Sequence, residues 1–107
     1  MVRLMDTETR VYTRYSILTE NINRAGIAKL CREHKIDCTL YDGVGLFNGN
    51  IEASLTIVHL APLEANAKEE IKALARDIKA ENNQREIWIT EETVTLKKLL
   101  DNAPAIG

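Results

Sequence analysis

The sequence has little of what marks a specialised protein class. Its 107 residues include two cysteines and five aromatic residues, and the formal net charge is -2. A slightly acidic chain has no general attraction for nucleic acid or anionic lipid. No apolar run approaches the roughly 18 residues of a membrane span, and the first residues form no signal peptide. We therefore expect one cytoplasmic domain over 1–107, with an ordered core at 10–100 and neither membrane nor nucleic acid as a partner.

Catalytic and cofactor signatures are also missing from the sequence. It contains no nucleophile elbow, no His-Glu zinc helix and no paired carboxylates on an obvious cleft. Cys31, His34, Cys38 and His59 match no strong zinc spacing, and we interpret the cysteines as core residues. Asp42 is expected on the inner sheet face beside Gly43, and the alternative to a role as general acid or base is a position at the sheet edge, where it braces the turn. We expect a protein that is not an enzyme and has no metal or cofactor.

The residues that are present alternate in a way that predicts strands. Polar and apolar or β-branched residues alternate in four segments bounded by turn residues, at 11–19, 36–47, 50–60 and 85–90. Residues 1–9 are expected to form a weakly ordered arm. Residues 93–100 fit either an added strand or a terminal helix.

Two segments between these strands have the spacing of helices. The first follows the candidate caps Asn21 and Asn23, and its apolar face runs from residue 27 to residue 34. The second covers 67–82, with one apolar stripe and charged residues elsewhere. The order β-α-β-β-α-β predicts an α+β ferredoxin-like plait, with a four-stranded antiparallel sheet and both helices on one face.

The segment 41–50 sets the register of the central hairpin. Asn48-Gly49 is typical of a type I′ turn, because that turn needs positive φ at both central residues. A slip of one residue would exchange the two faces. The face with Val44, Leu46 and Ile51 is more aliphatic and is expected to pack on the helices. The pairs on the other face are Phe47 with Asn50, Gly45 with Glu52, Gly43 with Ser54, and Tyr41 with Thr56.

The sheet face away from the helices, here called the open face, collects most of the aromatic residues. Tyr12, Tyr41, Phe47 and Trp88 are expected there, together with Arg14. An apolar face of this kind is expected to meet another subunit or a ligand. A single-stranded RNA platform is the weaker alternative, because the strand at 50–60 has no aromatic residue and no Lys or Arg.

The element order over 10–96 resembles the group of PII signalling and CutA proteins. That resemblance implies trimers formed through sheet edges and faces, a functional loop at 42–50, and nucleotides bound in clefts between subunits. A tight Asn48-Gly49 turn stands where that group has a long mobile loop. The strings 41–49 and 52–57 also resemble small uncharacterised proteins of phages and mobile elements, which implies an accessory protein that sequesters a host signal.

These observations together predict a non-catalytic homo-oligomer, with a trimer favoured, that binds a small anionic ligand such as a nucleotide at a subunit boundary. An aromatic ring would stack on a base, glycine amides would approach a phosphate, and an arginine would balance charge. A bulge or bend is the alternative for the glycines. The alternative function is a protein–protein interaction module that uses the open face or an edge strand. The predicted ligand-binding residues are Arg14, Tyr41, Gly43, Gly45, Phe47, Arg85 and Trp88.

Overall fold

The computed structural model describes residues 5–101, and it confirms the predicted α+β plait. The four strands form one antiparallel sheet, in which the second, third, first and fourth strands of the chain lie side by side in that order. Neither helix of the described part is long and apolar enough to span a membrane. The elements are β1 (Met5–Glu20), α1 (Arg24–Glu33), β2 (Thr39–Phe47), β3 (Asn50–Pro62), a short 3₁₀ helix (Leu63–Ala65), α2 (Lys68–Glu81) and β4 (Trp88–Asp101).

The β2–β3 hairpin has the predicted turn and register. Asn48 and Gly49 have φ angles of 50° and 78°, as a type I′ turn requires. Phe47 lies opposite Asn50, and the pairing continues in step to the start of β2. The two faces of the hairpin are therefore the ones that the sequence predicts.

Both helices cover one face of the sheet, and the core lies between them. Ile17 and Ile57 face each other on the central strands and are almost fully buried. Ile27 of α1 and Leu74 of α2 pack onto the same cluster with no exposed surface. Burying a side chain of this size contributes roughly 1.5–3 kcal/mol each, so these contacts dominate the stability of the fold.

The start of α1 confirms a predicted cap. The side chain of Asn23 accepts a hydrogen bond from the Gly26 backbone N–H at 3.1 Å. Such a bond satisfies one of the amide donors that the first helical turn leaves without a partner. The helix therefore begins at Arg24, next to the end of β1.

The ends of the strands correct several predictions. The loose arm is wrong for residues 5–9, which belong to β1, while residues 1–4 lie outside the described part. Residues 93–100 belong to the continuous strand β4, so the helix alternative is wrong, and β4 begins at Trp88 instead of residue 85. β2 begins at Thr39, three residues later than expected. β1 and β4 continue past the end of β3, where Tyr12 pairs with Pro62, and form a two-stranded ribbon.

The end of the hairpin also differs from expectation. Val44, Leu46 and Ile51 lie on the helix side, as predicted, but they are 75%, 70% and 77% exposed. The helices cover the sheet only as far as Leu55, which is 1% exposed. The prediction that the whole aliphatic face packs on the helices is therefore wrong near the turn, because the hairpin is longer than the helical layer.

Candidate functional site

The register puts aromatic side chains at both edges of the open face. Trp88 of β4 pairs with Leu18 of β1, and Leu18 pairs with Thr56 of β3. Thr56 in turn pairs with Tyr41 of β2. These four residues form one row across the sheet, and Trp88 and Tyr41 are each 57% exposed at its two ends.

A cleft of about 310 Å³ lies next to this row, at the end of the sheet where β4 separates from β1. Phe47 from the hairpin and Trp88 from β4 are among its lining residues. Leu18 and Thr56 lie on the central strands between them. The cleft therefore combines two aromatic side chains with the backbone of a rigid sheet, which is the usual composition of a small-molecule site.

Gly45 allows the ring of Phe47 to lie close to the sheet. A Cβ atom added at Gly45 would stand 2.5 Å from Cε2 of Phe47. A Cβ atom at Gly43 would stand 2.9 Å from Oγ of Ser54. Both glycines belong to the regular β2–β3 ladder, so the bulge or bend considered for them does not occur.

The charge of the cleft is acidic. Glu20, Glu52 and Glu86 line it, from the end of β1, the start of β3 and the segment before β4. Among the side chains that the structure describes, no Lys or Arg lines the cleft. Within that same part of the chain, the ion pairs involve other carboxylates. Glu20, Glu52 and Glu86 thus take no part in the ion pairs of the described residues.

The structure brings together only some of the predicted ligand-binding residues. Gly45, Phe47 and Trp88 line the cleft. Tyr41 and Gly43 lie on the same face in β2 but do not line it.

The two predicted arginines are not part of the cleft. Arg14 lies four residues from Leu18 along β1, and its Nη2 atom bonds the Glu92 carboxylate at 2.9 Å and 3.0 Å. Arg85 is exposed beside the cleft without lining it. The roles predicted for these residues remain predictions, and the geometry gives Arg14 a structural partner within its own chain.

A polar network, which sequence reasoning missed, adjoins the cleft. Nδ2 of the buried Asn82 donates to the Glu20 carbonyl oxygen at 3.1 Å and to Oε1 of Gln84 at 2.9 Å. The same nitrogen donates to Oγ1 of Thr19 at 3.1 Å, and the Thr19 hydroxyl donates to Oε1 of Gln84. Thr19 and Gln84 also line the cleft. The sequence signal that could have indicated this network is the pair of polar residues at the C-terminus of the second helix.

The cysteines face each other away from the cleft. Cys31 and Cys38 line a second cavity of about 240 Å³ between α1 and the start of β2. The Cys38 thiol donates a hydrogen bond to the Ile36 carbonyl oxygen at 3.5 Å. The neighbouring Cys38 side chain lowers the pKa of Cys31 to about 7, although burial acts in the opposite direction. The neighbouring Cys31 side chain, together with burial, raises the pKa of Cys38 above its usual range.

The two histidines are engaged separately. Nε2 of His34 lies 2.7 Å from the Asp77 carboxylate, and Nδ1 of His59 lies 2.7 Å from the Asp37 carbonyl oxygen. Within the described residues, no group of three or more His, Cys, Asp or Glu side chains is arranged to hold a metal ion. Each histidine therefore has its own neighbouring contact, and the two cysteines lie together as a thiol pair.

Asp42 has a structural role in the observed geometry. Its carboxylate accepts a hydrogen bond from Nδ2 of Asn21 at 2.9 Å and forms an ion pair with Arg24. These contacts join β2 to the connection between β1 and α1. Because both partners are exposed, the ion pair is worth at most about 1 kcal/mol.

Comparison with known proteins identifies relatives by structure. No protein-family model and no curated protein matches the sequence. CPII from Thiomonas intermedia K12, a nitrogen regulatory PII-like protein solved with ADP, AMP and bicarbonate, has a TM-score of 0.57 at 11% identity, over 83% of this chain and 96% of that chain. A phage SAM lyase in complex with S-methyl-5′-thioadenosine has a TM-score of 0.57 at 9% identity, over 82% and 90%.

A third solved structure supports the same fold. It is described as a putative PII-like signalling protein from Thermus thermophilus, with a TM-score of 0.55 at 9% identity, over 83% of this chain and 91% of that chain. The fold defined by the sheet order and helix placement is thus the fold of PII-like proteins, shared with a phage enzyme. The resemblance predicted from the sequence is confirmed at the level of the fold.

Proposed function

We propose that this protein binds a small adenosine-containing ligand in the open-face cleft. The observation that carries the proposal is the cleft itself, in which Phe47 and Trp88 stand beside three carboxylates. Aromatic rings stack on nucleobases with about 1–3 kcal/mol per base. Two proteins of the same fold were solved with adenine nucleotides and with an adenosine thioether, which supports this class of ligand.

The acidic lining favours a ligand whose net charge is zero or positive. Two unit charges at 4 Å interact by about 1 kcal/mol in water and about 4 kcal/mol near a protein surface. A phosphate close to Glu20, Glu52 or Glu86 would be repelled by an interaction energy in this range, whereas a cationic centre would be attracted. Our proposal therefore changes the predicted anionic nucleotide to an adenosine thioether or an adenosylsulfonium compound such as S-adenosylmethionine.

Self-association is a second part of the proposal. The cleft is open towards solvent, and three aliphatic side chains near the hairpin turn, Val44, Leu46 and Ile51, are largely exposed. Side chains of this kind are common at contacts between subunits. We keep the predicted homotrimer as the favoured assembly, and native mass spectrometry of the protein taken directly from cells tests it.

Cleavage of the ligand is a second candidate function, favoured by three carboxylate residues that line the cleft and take no part in the ion pairs of the described residues. In an elimination at a sulfonium centre, a carboxylate takes a proton from the carbon next to the carbon–sulfur bond. The electrons of that C–H bond form a double bond, and sulfur leaves with its electron pair as a neutral thioether. Binding without catalysis, as the sequence predicts, remains the first proposal.

Isothermal calorimetry with four ligands tests the proposal. We expect S-methyl-5′-thioadenosine and S-adenosylmethionine to bind more tightly than AMP and ADP. Glu52→Gln should weaken binding of the cationic ligand several-fold and leave the affinity for the neutral thioether unchanged, because only the charge is removed. Glu70→Gln, on an exposed position of α2, is the matched control.

The other outcomes are equally informative. Tighter binding of AMP and ADP would contradict the charge argument and support the anionic ligand. Absence of binding by all four would contradict the proposal and favour the interaction module. Chromatography can detect the release of S-methyl-5′-thioadenosine from S-adenosylmethionine. Such release would favour cleavage of the ligand over binding without catalysis.

A further inference from the structure

The orientation of the Gln84 side-chain amide follows from its neighbours. The Glu20 carbonyl oxygen can only accept, so Asn82 must direct its NH₂ group towards it at 3.1 Å. The same NH₂ group lies 2.9 Å from Gln84, which must therefore present its oxygen to Asn82. The opposite orientation of Gln84 would bring two NH₂ groups together.

The remaining group of Gln84 is a hydrogen-bond donor. Its Oε1 atom is engaged by both Asn82 and the Thr19 hydroxyl. Its Nε2 atom makes one long bond, 3.4 Å, to the Glu86 carbonyl oxygen. An amide nitrogen has two N–H groups, so at least one N–H of Gln84 is left for another acceptor.

We propose that Gln84 is a specificity-determining residue of the open-face cleft, which donates a hydrogen bond to an acceptor on the ligand. This inference rests on the proposed adenosine ligand and adds a requirement to it. The ring nitrogens N1, N3 and N7 of adenine are acceptors of the needed kind. An amide held by two neighbours donates with little loss of side-chain entropy, so it discriminates more sharply than a free surface glutamine.

The network also explains why a buried asparagine ends the second helix. Asn82 is 7% exposed and contacts Thr19, Glu20 and Gln84 through one nitrogen. It does not line the cleft and is a positioning residue for Gln84. Asn82→Asp would replace the donating NH₂ by a carboxylate that repels both carbonyl oxygens, and would release Gln84 from its fixed orientation.

The test compares Gln84→Glu with wild-type protein, using neutral S-methyl-5′-thioadenosine as the probe. A carboxylate at this position still accepts from Thr19 and Asn82, so the network remains while the group at the position of Nε2 changes from donor to acceptor. We expect affinity to fall by about 10-fold to 100-fold, the usual effect of a lost and opposed hydrogen bond. Asn83→Asp is the control, because it adds the same charge one residue away at an exposed position.

Adenosine analogues that lack one ring nitrogen identify the acceptor. Wild-type protein should lose affinity for one of the 1-, 3- and 7-deaza analogues, and Gln84→Glu should not distinguish that analogue from adenosine. If thermal unfolding shows that Gln84→Glu is poorly folded, Gln84→Met removes the donor without adding charge and is expected to show the same loss.

The outcomes separate this inference from the proposed function. If wild-type protein binds the thioether and both Gln84 variants bind it equally well, the assignment of Gln84 is overturned and the cleft remains. If wild-type protein does not bind the thioether, the proposed function is overturned and this inference with it. A loss confined to the Gln84 variants, with Asn83→Asp unchanged, supports both.

Discussion

The ring of Phe47 lies so close to Gly45 that a Cβ atom added at Gly45 would stand 2.5 Å from Cε2 of the ring. Real side chains do not tolerate this distance, so Gly45→Ala must displace the ring. We expect the substitution to weaken ligand binding by about 10-fold, because Phe47 lines the cleft, and to change stability by no more than about 1 kcal/mol. Calorimetry and chemical denaturation measure the two effects.

A double-mutant cycle isolates that contact. In a Phe47→Leu background, Gly45→Ala should have little further effect on affinity, since the flexible leucine can move away. Equal losses from Gly45→Ala in both backgrounds would contradict the role of the ring. Gly43→Ala is the control, because its nearest neighbour is the side-chain oxygen of Ser54, which can rotate.

Trp88 provides a direct signal of cleft occupancy. It is the one tryptophan of the chain, and it lines the cleft with 57% of its surface exposed. We expect S-methyl-5′-thioadenosine to quench its fluorescence and to follow the calorimetric binding curve, because a stacked base replaces water at the ring. An unchanged emission spectrum at saturating ligand would place the binding site elsewhere on the protein.

The thiol pair should make stability depend on pH. The pKa of Cys31 is lowered from 9.0 to about 7 by the neighbouring Cys38 side chain. Between these two values the folded chain has lost a proton that the unfolded chain retains, so the free energy of unfolding should rise with pH by up to about 3 kcal/mol. This contribution is lost as pH falls through 7, and urea denaturation across the range measures it.

Replacing Cys38 separates its effect on the Cys31 pKa from the titration of other groups. Cys38→Ala removes the neighbouring thiol that lowers the Cys31 pKa, while Cys31 keeps its place in the last turns of α1, where the helix dipole disfavours a negative charge. The pH midpoint for alkylation of Cys31 should therefore move upward from about 7. An unchanged midpoint would mean that Cys38 does not control the Cys31 pKa.

Self-association should depend on the aliphatic residues near the hairpin turn. Val44→Thr and Ile51→Thr keep β-branched side chains and make this surface more polar, so the strands should persist. We expect the double variant to dissociate at concentrations where wild-type protein remains assembled, as measured by light scattering. An assembly that is equally stable in both proteins would indicate that the subunits meet through another surface.

The sheet could be predicted wherever a local sequence signal allowed only one interpretation. Asn48-Gly49 allows one common hairpin turn, and the alternation on either side then assigns each side chain to a face. The ribbon of β1 and β4 had no such signal. Among the described residues, its strands pair only with each other beyond the end of β3, and residues 9–11 are exposed. The pattern of residues 5–9 lacks the apolar alternation of a covered strand.

The cleft was predictable only in part, because its character depends on residues far apart in the chain. Glu20, Glu52 and Glu86 come from three different segments and give no joint sequence pattern, although together they make the lining acidic. Arg14 was expected to balance a ligand charge, but the β1–β4 pairing puts Glu92 directly opposite it. A charge prediction from one strand fails when the cross-strand neighbour is unknown.

The β2–β3 hairpin presents two separate surfaces near its turn, and neighbouring residues belong to different ones. Gly45 and Phe47 face the cleft, whereas Val44 and Leu46 point to the opposite side. Successive side chains of a strand always alternate in this way. Substitutions at Gly45 and Phe47 can therefore alter the cleft, and substitutions at Val44 and Leu46 can alter the opposite surface, so that the two surfaces can diverge independently along one short stretch of chain.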